Sequence, residues 1–84
     1  LGRIRLVLLM WSEENDQLVR HFTFGDFVEA LAFINRVGDL AESHHHHPEI
    51  TNVYNRVTLK LSTHDAGNVV TEKDHALAAA IDAL

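Results

Sequence analysis

GDFVEALAFINRVGDLAES, residues 25–43, places Phe27, Ala30, Leu31, Ile34, Val37 and Ala41 at helical spacing. Side chains three and four residues apart share one face of a helix, so these six make a single apolar stripe. Asn35, Arg36, Asp39 and Glu42 fall largely elsewhere around it. Asp26 stands where an N-cap belongs, and Glu29, three residues on, is its reciprocal partner in a capping box. Gly38 weakens the helix slightly but permits close packing.

On both sides of this helix the apolar period drops to two. Upstream, residues 4–11 are rich in Ile, Leu and Val, SEENDQ supplies turn formers, and LVRHFTF resumes the apolar run. Leu18, Phe22 and Phe24 share parity, interrupted by Arg20, while Val19, His21 and Thr23 take the other face. This pattern predicts a strand, a turn near Asn15–Asp16 and a second strand. Downstream, EITNVYNRVTLKLSTH (residues 49–64) sends Val57, Leu59 and Leu61 one way and Thr58, Lys60, Ser62 and His64 the other. Asn55–Arg56 reads as a hairpin turn between two strands, with one long strand as the alternative. DAGN is a loop. TEKDHALAAAIDAL is then a second helix, capped by Thr71, with Asp74 at the capping-box position and an apolar stripe of Leu77, Ala80, Ile81 and Leu84.

The order strand–strand–helix–strand–strand–helix predicts an α+β fold, a four-stranded antiparallel sheet with the helices packed on one face. The other face is left to solvent or to another subunit. Residues 1–84 read as a single domain without internal repeat or linker. A chain 84 residues long and 46% hydrophobic builds only a thin core, so oligomerisation is a reasonable way to bury more surface.

Composition closes off several function classes. Seven Lys and Arg against twelve Asp and Glu give a net charge of −5, which argues against binding to a nucleic-acid backbone. The absence of cysteine excludes disulfides and thiolate zinc sites and fits a reducing cytoplasm. LGRIRLVLLMW is too short to span a bilayer and lacks a small-residue cleavage site, so no membrane segment is expected.

The run HHHHP, residues 44–48, holds four of the seven histidines and the only proline. Its place between a helix and a strand excludes an expression tag. Clustered histidines bind zinc or nickel adventitiously, but consecutive residues rarely aim at one ion and no carboxylate spacing completes a set, so no dedicated metal site is expected. Acid–base chemistry fits better. Pro48 holds His47 extended. Glu42 lies on the last turn of the first helix, Tyr54 ends one strand, His64 ends the next, and Asp74 lies in the first turn of the final helix. Two helix ends, a loop and a strand end are placed to meet at one pocket. Asp74 serves equally well as a plain helix cap, and both roles can coexist.

From Glu42 to Asp74 the pattern E-x3-H-H-P-x5-Y-x9-H-x9-D resembles the signature of the pterin-4a-carbinolamine dehydratases. The flanking FTFGDFVEALAFINRV and NVYNRVTLKLSTHDAG are similar to that family as well, and the likeness spans about residues 18–82. It implies dehydration of 4a-hydroxytetrahydropterin, left by an aromatic amino acid hydroxylase, to quinonoid dihydropterin and water. It implies no metal, no organic cofactor, and assembly as a homodimer or homotetramer. On this reading His46, His47 and His64 are the acid–base set, and Glu42 and Asp74 support them. Pro48, Tyr54 and Trp11 are placed as substrate contacts, although ordinary packing explains Tyr54 and Trp11 as well. His21, His44, His45 and His75 fall outside the motif and are expected on the surface. Two departures stand out. The helix that the family carries before its Trp is truncated or diverged in LGRIRLVLLM, and DAGNVVTEKD alters the loop after His64. The competing reading is a non-catalytic module: some animal relatives act as dimerisation cofactors of a homeodomain transcription factor.

Overall fold

The computed structural model describes residues 10–84. Strands β1 (Ser12–Glu14), β2 (Gln17–Thr23), β3 (Glu49–Val53) and β4 (Arg56–Leu61) form one sheet. Its order is β1-β2-β4-β3, with every neighbouring pair antiparallel. Helix α1 (Phe27–Ser43) joins β2 to β3, a short 3-10 turn (His64–Ala66) follows β4, and helix α2 (Glu72–Asp82) ends the chain. The α+β architecture with four antiparallel strands is the one the periodicities predict. Among the described residues, no helix is long and apolar enough to cross a membrane.

Register explains which face carries the core. Leu18, Arg20 and Phe22 of β2 lie opposite Leu61, Leu59 and Val57 of β4, so all six share a face. That face packs against Ala30 and Val37 of α1 and Leu77, Ala78 and Ile81 of α2 in one cluster. Both helices therefore cover the same side. Arg20 is the one charge in this row. Its guanidinium pairs with Asp82 at the far end of α2 and lies 4.4 Å from the Phe22 ring centroid. Trp11 Nε1 donates to the same Asp82 Oδ1 at 2.9 Å.

Several details differ from expectation. The first strand expected at residues 4–11 lies outside the described residues except for Met10 and Trp11, and neither of these is in a strand. The strand that pairs with β2 is Ser12–Glu14, because the turn takes only Asn15 and Asp16, at φ 51° and 61°. Positive φ at both positions matches the twist of a two-residue hairpin, and Asn and Asp tolerate it. The second hairpin turns at Tyr54–Asn55 rather than Asn55–Arg56, since Arg56 already pairs with Val53. Asn55 fixes that position by bonding Phe24 through its carbonyl and its amide side chain, at 2.8 and 3.0 Å. Asp26 caps α1 by accepting from Glu29 N, but the Glu29 carboxylate reaches Gly25 N instead of completing the box. Phe27 and Leu31 are 43% and 42% exposed, so the buried stripe of α1 runs through Ala30, Ile34, Val37 and Ala41. In α2, Ala78 is buried where Ala80 was expected, and Leu84 is exposed.

The first two histidines of the run end α1. His44 is the C-cap and His45 takes φ 50°. His45 N bonds Glu42 O at 3.2 Å and His46 N bonds Ala41 O at 3.0 Å. This is the Schellman arrangement, with a histidine in the left-handed position that glycine usually fills. It folds the chain back so that His46 leaves over the end of the helix.

Two measurements check this packing. Leu59 is fully buried on a central strand, so Leu59→Ala is expected to cost about 2–5 kcal/mol in denaturant unfolding, whereas Leu31→Ala costs far less. His45→Gly relieves the left-handed backbone and is expected to raise stability by about 0.5–1 kcal/mol. Equal losses at Leu59 and Leu31, or a clear loss for His45→Gly, would contradict the description.

Candidate active site

The backbone turn at His44–His45 delivers the next two imidazoles to carboxylates on different helices. His46 Nε2 meets Asp74 Oδ1, in the first turn of α2, at 2.5 Å. His47 Nε2 bonds Glu42 Oε2 in the last turn of α1. Asp74 is fully buried and the His46 side chain is 10% exposed, whereas His47 and Glu42 face solvent. The two pairs thus share a chemistry and differ in surroundings.

Asp74 does more than accept from His46. Its Oδ2 takes the Thr71 backbone N–H at 2.8 Å, which closes the capping box of α2, and the Thr63 hydroxyl at 2.8 Å. Burial raises the Asp74 carboxyl, but hydrogen bonds from His46, Thr71 and Thr63 outweigh it and hold the group below its usual range. Glu42 is also lowered, by the hydrogen bond and then the charge of His47. Both carboxylates are therefore acceptors only, which fixes the bonding nitrogen of each ring as the proton carrier. His46 and His47 spend Nε2–H on their carboxylates and keep Nδ1 for other work.

The third expected histidine arrives differently. His64 does not end β4 but begins the 3-10 turn after it, beyond Ser62 and Thr63. Its Nδ1 lies 3.1 Å from Asn68 Oδ1, which can only accept, so Nε2 is the free nitrogen. Asn68 sits in the altered loop at φ 61°, directly after Gly67 at φ 90°. The two left-handed residues fold the loop back so that the Asn68 amide reaches the ring.

A cleft of about 260 Å³ is lined by His45, His46, His47, Ser62, Thr63, His64, Asp65 and Lys73. It lies just below the range for small-ligand pockets, roughly 300–1,000 Å³. The three motif histidines meet here, with Glu42 and Asp74 behind two of them. Trp11 and Tyr54 do not line the cleft. Trp11 is a core side chain, edge-on to Phe22 at 6.4 Å and tied to the far end of α2. Tyr54 is at the opposite end of β3 from Pro48, a five-residue strand of roughly 17 Å, and is exposed. Pro48 follows His47 directly but does not line the cleft either. His21, His44, His45 and His75 are exposed, as expected, although His45 reaches the cleft rim. Among the described residues, no group of three or more histidine or acidic side chains is arranged to hold a metal ion.

Sequence reasoning missed Ser62, Thr63, Asp65, Asn68 and Lys73. Thr63 did carry a signal. It continues the parity of Val57, Leu59 and Leu61, and a hydroxyl at a core position needs a partner.

The depressed Asp74 carboxyl predicts an acid dependence of stability. A group lowered on folding contributes fully above its unfolded value, near 3.8, and the contribution drains away as pH falls through the folded value. Asp74→Asn removes that component. The difference in urea midpoint between wild type and Asp74→Asn is expected to shrink as pH falls from about 6 to about 3. A constant difference would contradict the coupling.

Comparison with known proteins bears on family and fold. The family model described as pterin 4 alpha carbinolamine dehydratase matches residues 3–84. A Chloroflexus aurantiacus protein, provisionally named a pterin-4-alpha-carbinolamine dehydratase, is 57% identical over 72 residues, covering 86% of this chain and 76% of its own. A Prochlorococcus marinus protein with the same provisional name is 44% identical over 84 residues, covering 100% of this chain and 86% of its own. Among solved structures, a transcriptional coactivator/pterin dehydratase from Brucella melitensis superposes with a TM-score of 0.84 at 34% identity, covering 98% of this chain and 92% of that one. A pterin dehydratase-like protein identified as a RuBisCO assembly factor in the alpha-carboxysome gives 0.73 at 29% identity, with 87% and 86% covered. Relatives 57% and 44% identical, a fold matched along nearly its whole length and a family model spanning residues 3–84 lead to one assignment: the chain belongs to the pterin 4 alpha carbinolamine dehydratase family.

Proposed function

We propose that the protein dehydrates 4a-hydroxytetrahydropterin to quinonoid dihydropterin and water by histidine acid–base catalysis. The observation that carries this reading is the cleft in which His46, His47 and His64 meet, two of them braced by carboxylates. The reaction breaks the bond between C4a and its hydroxyl oxygen. One imidazolium gives a proton to that oxygen, which leaves as water. A second imidazole takes the proton from the adjacent ring nitrogen, whose electron pair becomes the new C=N bond. Imidazole exchanges protons near neutral pH, so one side chain type serves both steps. The nitrogens available are Nδ1 of His46 and His47 and Nε2 of His64. Glu42 and Asp74 orient the rings and stabilise their charged forms, as carboxylates do beside catalytic histidine.

Proton transfer alone closes this balance, so the proposal calls for no metal and no organic cofactor. The substrate would come from an aromatic amino acid hydroxylase working in the same cytoplasm, and the working form would be a homodimer or homotetramer.

A second reading, a protein-binding module, is favoured by one observation. Phe27, Val28 and Leu31 at the start of α1 are 43%, 73% and 42% exposed, an apolar group left uncovered among the described residues. Such a module has no need for imidazoles in a cleft.

The test is the dehydration rate of 4a-hydroxytetrahydropterin generated in situ by a hydroxylase, with a metal chelator present. Acceleration over the spontaneous reaction is expected, and His46→Ala or His64→Ala is expected to lower it about 10²–10⁴-fold. His44→Ala is expected to be silent. A folded protein that does not accelerate the reaction would favour the binding module instead, and a fully active His64→Ala protein would remove His64 from the acid–base set.

A further inference from the structure

Among the described residues, Thr63 is the one buried polar side chain around the cleft for which the acid–base scheme provides no role. It is 6% exposed and follows Ser62 at the exit of β4, directly before His64. Its hydroxyl makes two contacts, to Asp74 Oδ2 at 2.8 Å and to Thr71 Oγ1 at 2.6 Å.

Proton counting gives the direction of each bond. Asp74 accepts only, so the single Thr63 proton goes to Oδ2. Thr63 Oγ1 must then accept in its other contact, and Thr71 donates. Asp74 Oδ2 is thereby held by two donors on two chain segments, the Thr63 hydroxyl and the Thr71 backbone N–H. With both of these on Oδ2, the carboxylate cannot rotate, and Oδ1 is left aimed at His46 Nε2. The backbone supports the same anchor, since Thr63 N donates to Val69 O at 2.9 Å and Thr63 O accepts from Ala66 N and Asn68 N at 3.2 and 3.0 Å. The loop that carries His64 and Asn68 is thus hung from the residue that orients Asp74.

We infer that Thr63 is a positioning residue of this site: its hydroxyl aims the Asp74 carboxylate at His46, and its backbone sets the loop of His64. The inference deepens the dehydratase reading and rests on it for the consequence on turnover, but not for the consequence on Asp74. Three donors face the Asp74 carboxylate: His46, Thr63 and the Thr71 backbone. The other titratable groups around the cleft, His45, His47, His64, Asp65 and Lys73, make no hydrogen bond to it.

The experiment compares Thr63→Val, which keeps shape and removes the hydroxyl, with Thr63→Ser, which keeps the hydroxyl. One readout is the NMR titration of the Asp74 carboxyl carbon. The other is the dehydration kcat across pH. In Thr63→Val the Asp74 titration is expected to move to higher pH and kcat to fall roughly tenfold or more, the worth of one hydrogen bond to a charged group. KM is expected to change little. Thr63→Ser is expected to restore both properties. An unmoved Asp74 titration in Thr63→Val, or a Thr63→Ser protein as impaired as Thr63→Val, would overturn the inference. If wild type proves inactive, the dehydratase reading fails while the carboxyl titration still decides the positioning role. If Thr63→Val does not fold, Thr63→Ala, which removes the hydroxyl without adding volume, carries the same comparison.

Discussion

A carboxylate buried at the start of a helix is the constraint on which this structure turns. Asp74 has no exposed surface, and an ionised group there is tolerated only if its oxygens are fully bonded. They are, and the donors come from three places: the loop after α1, the exit of β4 and the first turn of α2. Satisfying one charge therefore joins three segments that the apolar core alone would hold less tightly. The same bonds fix the tautomer and orientation of His46. Fold and site share an atom set, so the acid–base residue most sheltered from solvent is also the most firmly held.

Helix α2 needs such anchoring. Its apolar face consists of Leu77, Ala78 and Ile81, a short strip for a helix of eleven residues. Polar contacts secure both of its ends. Asp74 does so at the first turn, and Asp82 at the last, where it meets Arg20 and Trp11 from the sheet side. Arg20 interrupts an otherwise apolar row of β2 because it reaches this second aspartate, and the Phe22 ring beneath its guanidinium recovers part of the desolvation cost. With α2 held at both ends, the Asp74 carboxylate has a fixed position relative to the sheet and to the histidine loop.

Much of this was legible in the residue pattern. Six apolar positions at helical spacing and a capping aspartate place α1, and the parity of Val57, Leu59 and Leu61 places β4 and the core face. The spacing from Glu42 to Asp74 brings the histidines and carboxylates of the site together. What resisted reading has specific causes. Helical spacing marks Phe27 and Leu31 as core, yet α1 packs through Ala30, Ile34, Val37 and Ala41, and they stay exposed beside that stripe. The two hairpins are set by turn geometry and by the bonds of Asn55 to Phe24, which periodicity does not encode. Tyr54 matches the motif and Trp11 the tryptophan that the family carries upstream of it, but β3 and α2 separate them from the cleft by their own lengths. The first two histidines of the run look dispensable as side chains, and their contribution lies in the backbone turn that presents the next two.

Family members include proteins named for catalysis and one named for assembly, so membership alone does not decide between a worked site and a retained one. The distinction is energetic. In a working dehydratase, Asp74 acts on turnover through His46, and removing both costs no more than removing the histidine. The direct measurement is a double-mutant cycle on the dehydration kcat with His46→Ala, Asp74→Asn and the combination. The account predicts that the double variant turns over at about the rate of His46→Ala alone. Losses that multiply, with the double variant slower by the product of the two single effects, would contradict it.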